Sequence, residues 1–296
     1  MNEIVFEYDV ILLKPVAEKL RAFFLWRFSK CCIQPRGVIG SRHAINQTSL
    51  FMVQTVLCLK WGDRYGPEYV NKLHSMVRRN TSRPLRFVCI TDDPSGLDEG
   101  VETKEMPPFT LPEYLRFHPF RRMFIFQQQL YDLEGDVLHF DVDLLVTGSV
   151  DDFFDYKPES TFCVAENWTQ IGQGIGNMSI FRFRVGAHTN IWEMFSADPD
   201  AQVKTYRNSQ TFVCRNISEM HYWPPEWCLS FKHSLIPPWP INFIKAPALP
   251  KSAHVVAFTG KPDPDDALTG HWPVTAAWKT LYKHVRPTPW IAEHWR

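Results

Sequence analysis

The sequence predicts an α/β fold with a mixed, mostly parallel sheet flanked by helices, and three observations predict it. Short apolar runs, Phe51–Leu59, Phe87–Ile90 and Val137–Phe140, have the length and side chains of buried strands. Between the first two, Val70, Leu73, Met76 and Val77 recur at the spacing of one helix face. Strand, helix and strand within about 40 residues form a βαβ unit, whose crossover requires parallel strands.

Element by element, residues 1–48 read as an N-terminal extension that ends in the polar stretch Arg42–Ser49. Within it, residues 11–28 mix apolar side chains with Lys14, Lys19, Arg21 and Arg27. Two readings stay open there: an extension packed on the domain or loosely ordered, and a basic amphipathic helix in peripheral contact with a membrane. Residues 49–296 form the second unit. Its first strand runs into the turns Trp61-Gly62-Asp63 and Gly66-Pro67, followed by a helix over Tyr69–Arg79. The strand at Phe87–Ile90 is closed by the turn residues from Asp92 to Gly96. Pro119–Tyr131 is expected to be a helix that Gly135 ends, and Val137–Phe140 a strand that runs straight into Asp141. Further strands are expected at Thr161–Ala165, Ile175–Phe183 and His254–Phe258. The region 216–250 is dense in Pro and Trp and is expected to loop around a site. In the tail, Trp278, Leu281, Tyr282 and Val285 have helical spacing, and Pro287 stops the run.

Composition narrows the function classes. Hydrophobic residues make up 45% of the 296, enough for one large core, and 22% charged residues argue against wholesale disorder. Lys+Arg and Asp+Glu are both 32, so no whole-chain charge favours nucleic acid. The seven cysteines contain no C-x-x-C pair, which removes zinc-knuckle and thioredoxin-type readings and leaves free thiols in a reducing cytosol. No run of about 18 apolar residues is present to span a bilayer. Acidic Glu3, Glu7 and Asp9 come first, unlike a signal peptide. A cytoplasmic location is expected, with segment 11–28 offering contact with the inner face of a membrane.

Chemistry concentrates in DVLHFDVDLLVTGSVDDFF, residues 136–154. Residues i and i+2 of an extended chain face the same side, so Asp141 and Asp143 emerge together at the carboxyl end of a strand. Open α/β sheets bind ligands at that end. Two adjacent carboxylates repel, and a hard divalent cation, Mn²⁺ or Mg²⁺, removes that cost while leaving positions for diphosphate oxygens. Asp151, Asp152 and Asp155 read instead as an acidic helix start. His118, His139, His221, His233 and His271 lack ligand spacing and read as packed or surface residues.

Four segments resemble the GT-A glycosyltransferases, specifically the glycogenin-like family 8 group and its bacterial relatives: VLCLKWGDRY, HFDVDLLVTGSVDDFF, GIGNMSIFRF and VVAFTGKPDP. The resemblance spans about Val53 to Lys261. It implies a GT-A type, Rossmann-like fold and transfer of a sugar from a UDP-sugar, with retention, to a hydroxyl of a glycan, a lipid-linked sugar or a protein. It implies Asp141 and Asp143 as metal ligands, Lys60 and Tyr65 beside the nucleotide, and Arg122 facing the donor. Asn177 would lie beside the donor sugar, Gln210 near the anomeric centre, and Gly260 with Lys261 over the diphosphate. Three positions depart from the family pattern. Ala257 stands where a third metal ligand, His, is usual, Asp263 where a Lys is usual, and Ser209 where an acid precedes the Gln. Two other readings follow: a non-catalytic relative that binds a nucleotide or glycan, and a phosphatase of the haloacid dehalogenase type, whose D-x-D expects Thr or Val where Leu145 stands.

Overall fold

The computed structural model describes residues 53–296. The extension 1–48, its proposed membrane contact through residues 11–28, and Cys31 and Cys32 lie outside the described residues.

The first strand, β1 (Gln54–Lys60), is buried along its whole length, as a central parallel strand covered on both faces must be. Alternation sends Val56 and Cys58 into one core cluster and Leu57 and Leu59 into the other. Helix α1 (Pro67–Arg79) follows, with Pro at its start, Glu68 in the first turn and Arg78 and Arg79 in the last, each at the end the helix dipole favours. It buries Val70, Leu73, Met76 and Val77, the face read from the sequence. Then come β2 (Leu85–Thr91), the short half-exposed β3 (Glu102–Glu105) and β4 (Asp136–Phe140). The next elements are β5 (Leu144–Val146), helix α2 (Asp151–Asp155), β6 (Phe162–Glu166) and β7 (Gly176–Arg184). Helices α3 (Thr189–Ala197), α4 (Pro199–Tyr206) and α5 (Ser209–Asn216) lead to β8 (His221–Tyr222) and β9 (Cys228–Ser230). The chain closes with β10 (Val255–Ala257), α6 (Pro264–Thr269) and α7 (Trp290–His294).

The main sheet has seven strands in the order β3-β2-β1-β4-β7-β6-β8. β1 pairs in parallel with β2 and β4, β2 with β3, and β6 with β8, while β7 runs antiparallel to β4 and β6. The predicted α/β class with a mixed, mostly parallel sheet is therefore observed. A second sheet, β5-β10-β9, holds the apolar run that follows the aspartates. Asp141, Val142 and Asp143 are the only residues between β4 of the large sheet and β5 of the small one, so the motif sits at the seam of the two.

Two expectations are corrected. Pro119–Tyr131 is not an α-helix but a 3₁₀ segment, Pro119–Phe126, after which Gln127 is extended. The tail forms a 3₁₀ turn, Ala277–Leu281, and then α7 beyond Pro287 rather than one helix. In the first, a run of buried side chains, Phe120, Arg121 and Met123 to Phe126, replaces the one-sided face that suggested α, whereas in the tail Trp278, Leu281 and Tyr282 stay exposed and no core face holds a longer helix. Among the described residues most phenylalanines are core: Phe120, Phe126, Phe162, Phe181 and Phe212 are fully buried. So is Arg182, whose guanidinium donates to the carbonyls of Phe153, Phe154, Tyr156, Lys157 and Ser160 and ties the 153–160 segment to β7.

Candidate functional site

The site is built from the carboxyl ends of β1 and β4. β1 lies between β2 and β4, the point where the connections leave in opposite directions and where open α/β sheets hold ligands. The Asp141 amide donates to the Ser179 carbonyl at 2.9 Å, which extends the β4–β7 pairing by one residue and fixes the first carboxylate. The chain then turns over Val142 and Asp143 instead of staying extended. Buried Val142 anchors the turn, and the two carboxylates stay close enough for the charge of Asp141 to act on Asp143.

Their environments differ. Arg122 donates to Asp141 Oδ1 at 3.3 Å and to the Met178 carbonyl at 2.9 Å, while its Nε is buried without a partner. Among the described residues Asp143 forms no ion pair, although the charge of Arg64 acts on it. It accepts from the Tyr65 hydroxyl at 2.7 Å. Burial, then the charge of Asp141, push the Asp143 carboxyl up to about 7, and Asp263 adds to the rise. Burial and Asp143 likewise drive the Tyr65 phenol up, so Tyr65 is a permanent donor. Tyr65 is held by a chain of contacts from the C-terminus. Its ring packs on Tyr69 at 4.8 Å, Tyr69 packs on Trp295 at 5.1 Å, and both Tyr69 and Trp295 donate to Asp265.

A cavity of about 210 Å³ opens on Asp141. It is lined by Arg122, Gln210, Ser209, Asn208, Arg207 and the 178–179 backbone segment among others. Three residues picked from the sequence, Asp141, Arg122 and Gln210, thus share one cavity. A second cavity, about 330 Å³, lies at the carboxyl ends of β1 to β3, between Gly62, Asp92, Phe109 and Arg121. Asp92 accepts the Gly62 amide at 3.1 Å, and the guanidinium groups of Arg116 and Arg121 lie over the Phe109 ring.

Other sequence-derived residues take different places. Lys60 ends β1 and is buried. Asn177 is buried in β7 and turns its Oδ1 onto the Ser179 amide at 3.0 Å. Gly260 has φ +73°, a left-handed turn that favours glycine. Lys261 is not free to act as a bare cation: its ammonium pairs with Asp263 and, at 3.2 Å, with Asp266. His254 binds Asp152 at 2.7 Å and stacks on Trp227, and His139 is fully buried against Phe181, so neither faces the corner. Arg207, Arg116, Arg121 and Asp92 were missed as site residues. Their side chains converge only through the fold, and Asp92 carries the ordinary signature of a turn.

The residues fit a hard divalent cation in donor chemistry. Asp141 and Asp143 offer oxygen, the charge of Arg64 only partly offsets the burial of Asp143 and its repulsion by Asp141, and Asp263 is buried with its Oδ1 unpartnered. Among the described residues no group of three His, Cys, Asp or Glu closes around an ion by itself. An ion here would complete its shell from ligand oxygens and water.

No family model matches the chain, and no curated protein matches it. Solved structures similar to this chain include glycosyltransferases. The galactosyltransferase LgtC, in complex with donor and acceptor sugar analogs, has a TM-score of 0.49 at 14% identity, covering 72% of this chain and 89% of that one. GlyE of Streptococcus pneumoniae has a TM-score of 0.48 at 15% identity, covering 71% and 56%. A glycosyltransferase involved in glycosylation of the major capsid of PBCV-1 has 0.43 at 17% identity, covering 70% and 94%.

Proposed function

We propose that this chain is a GT-A glycosyltransferase of the family 8 type. It moves a sugar from a nucleotide-sugar, a UDP-sugar by the resemblance, to a hydroxyl acceptor with retention, in a reducing compartment. The observation that carries the reading is the single cavity at the carboxyl end of β4 that joins Asp141, Arg122 and Gln210.

Asp141 and Asp143 would hold Mn²⁺ or Mg²⁺, which supplies positive charge against the departing diphosphate. Arg122 already spans Asp141 and the Met178 carbonyl, so its guanidinium stands ready for phosphate or sugar oxygens beside the acid. Tyr65 orients Asp143 through the phenol hydrogen bond. Gln210 presents a neutral amide to the cavity, suited to an oxocarbenium-like centre that an anion would trap. In the transfer, the bond from the anomeric carbon to the diphosphate oxygen breaks. The acceptor oxygen bonds the same face, and its proton passes to the leaving oxygen. Lys261 must exchange part of its pairing with Asp263 and Asp266 before it meets a diphosphate.

One observation favours a second reading, a non-catalytic nucleotide or glycan binder: Ala257, where a third ligand is usual, is buried inside β10. The test is UDP-sugar transfer and hydrolysis with Mn²⁺ by the wild type and Asp143→Ala. Loss of turnover in the variant alone supports transfer. Equal rates in both proteins refute it, and UDP binding without turnover over a broad acceptor screen selects the second reading.

A further inference from the structure

Away from the aspartate corner, two loops build an apolar face that packing does not explain. The first supplies Trp239, Ile241 and Ile244, which are 65%, 49% and 84% exposed. The second supplies Trp278, Leu281 and Tyr282, which are 61%, 71% and 39% exposed. They form one surface. Trp239 Nε1 donates to the Leu281 carbonyl at 3.1 Å, and Asn242 donates to the carbonyls of Tyr282 and His284. Phe243 stacks on His284 with centroids 4.5 Å apart. A contiguous apolar surface of this kind marks an interaction site.

Its charge pattern selects the partner. From Trp227 to Pro262, and again from Ala267 to Ala292, no Asp or Glu occurs, in a chain that has 32 elsewhere. Cations do occur there, with Lys245 directly after Ile244, and Lys283 and Arg286 directly after the second loop. Exposed Trp and Tyr rings carrying polar atoms, aliphatic tips between them and a rim of one sign match the headgroup boundary of an anionic bilayer. A protein partner would not require the exclusion of every acid from both stretches. We infer that this face seats the protein on an anionic lipid surface. The inference stands apart from the transfer reading and from residues 11–28.

The experiment is co-sedimentation of the full chain with vesicles of phosphatidylcholine alone and with about 30% phosphatidylglycerol. The wild type is expected to partition onto the anionic vesicles. A basic residue at such a surface contributes about 1 kcal/mol, or roughly fivefold in partitioning, so Lys245→Gln with Arg286→Gln lowers it roughly 30-fold. Ile244→Glu with Leu281→Glu abolishes it. Both pairs lie on the exposed surface, and an unchanged melting temperature shows that the fold is retained. Wild-type protein left in the supernatant, equal binding to both vesicle types, or variants that bind like wild type all overturn the inference. So does a wild-type dimer that Ile244→Glu with Leu281→Glu converts to monomer without any vesicle binding, since the face would then be an interface between copies.

Discussion

Asp143→Asn is expected to make the protein more stable at neutral pH while removing the group most needed for metal binding. The Asp143 carboxyl is pushed from an ordinary 3.8 to about 7, first by burial and then by Asp141. A raised carboxyl pKa means that the unfolded chain gives up its proton first. The penalty is absent below about pH 3.8, grows with pH, and is complete above about 7. At about 1.4 kcal/mol per unit, three units make about 4 kcal/mol, and partial contact with water reduces this to about 2–4 kcal/mol. Asparagine keeps the shape and still accepts the Tyr65 hydroxyl, now held at 2.7 Å, but carries no charge. In chelator at pH 8 the variant should melt roughly 5–10 °C above wild type, and the gap should fall to about 1 kcal/mol by pH 4.5. Added Mn²⁺ should raise the wild-type melting temperature and leave the variant unchanged. Equal melting at pH 8, or a gap independent of pH, would refute the electrostatic account of this corner.

Arg122→Gln removes the guanidinium that bridges Asp141 and Met178. A charge-assisted bond of about 1.5–3 kcal/mol corresponds to a rise of roughly tenfold to a hundredfold in donor KM, read from initial rates. His139→Phe tests acid sensitivity. Burial lowers the His139 imidazole to about 3, so its stabilising contribution is complete above about 6.5 and is lost as pH falls toward 3. The variant should keep about 3 kcal/mol that wild type loses by pH 4.5, read from denaturant midpoints across pH. Arg182→Leu leaves the 153–160 carbonyls unpaired at about 1–3 kcal/mol each and should cost more than 3 kcal/mol in urea unfolding.

The sheet was legible because burial on both faces writes itself as continuous apolar runs, and β1, β2 and β4 are such runs. β3 was not seen, since ETKE at the half-exposed edge has strand geometry only through pairing with β2. β5 was visible as an apolar run but not as the start of a second sheet, because its partner β10 lies about 110 residues further on. Asp141 was found through a local pattern and Arg122 through the family resemblance, and the cavity joins them. The Tyr65–Tyr69–Trp295 chain could not be read, since ring packing and the shared acceptor Asp265 bring together residues far apart in sequence. Lys261 reads as a lone cation after Gly260. Only in the fold do Asp263 and Asp266 turn back to neutralise it.

The two aspartates are two residues apart, yet the fold makes them unequal. Arg122 pairs with Asp141, whereas Asp143 is in contact with a phenol and feels the charge of Arg64 without an ion pair, with Asp263 adding negative charge on its side. Asp141→Asn therefore has two opposed effects. It relieves the repulsion on Asp143, and it leaves Arg122 with a neutral acceptor and the Met178 carbonyl. Each effect is of the order of 1–2 kcal/mol, so the sum should lie within about 1 kcal/mol of zero. Asp143→Asn has only the relief. Melts of both variants in chelator at pH 8 should separate by several degrees, with Asp143→Asn the higher. If instead the two asparagine variants melted together, the uncompensated charge would not belong to Asp143, and the cation-binding side of the cavity would have to be sought next to Asp141.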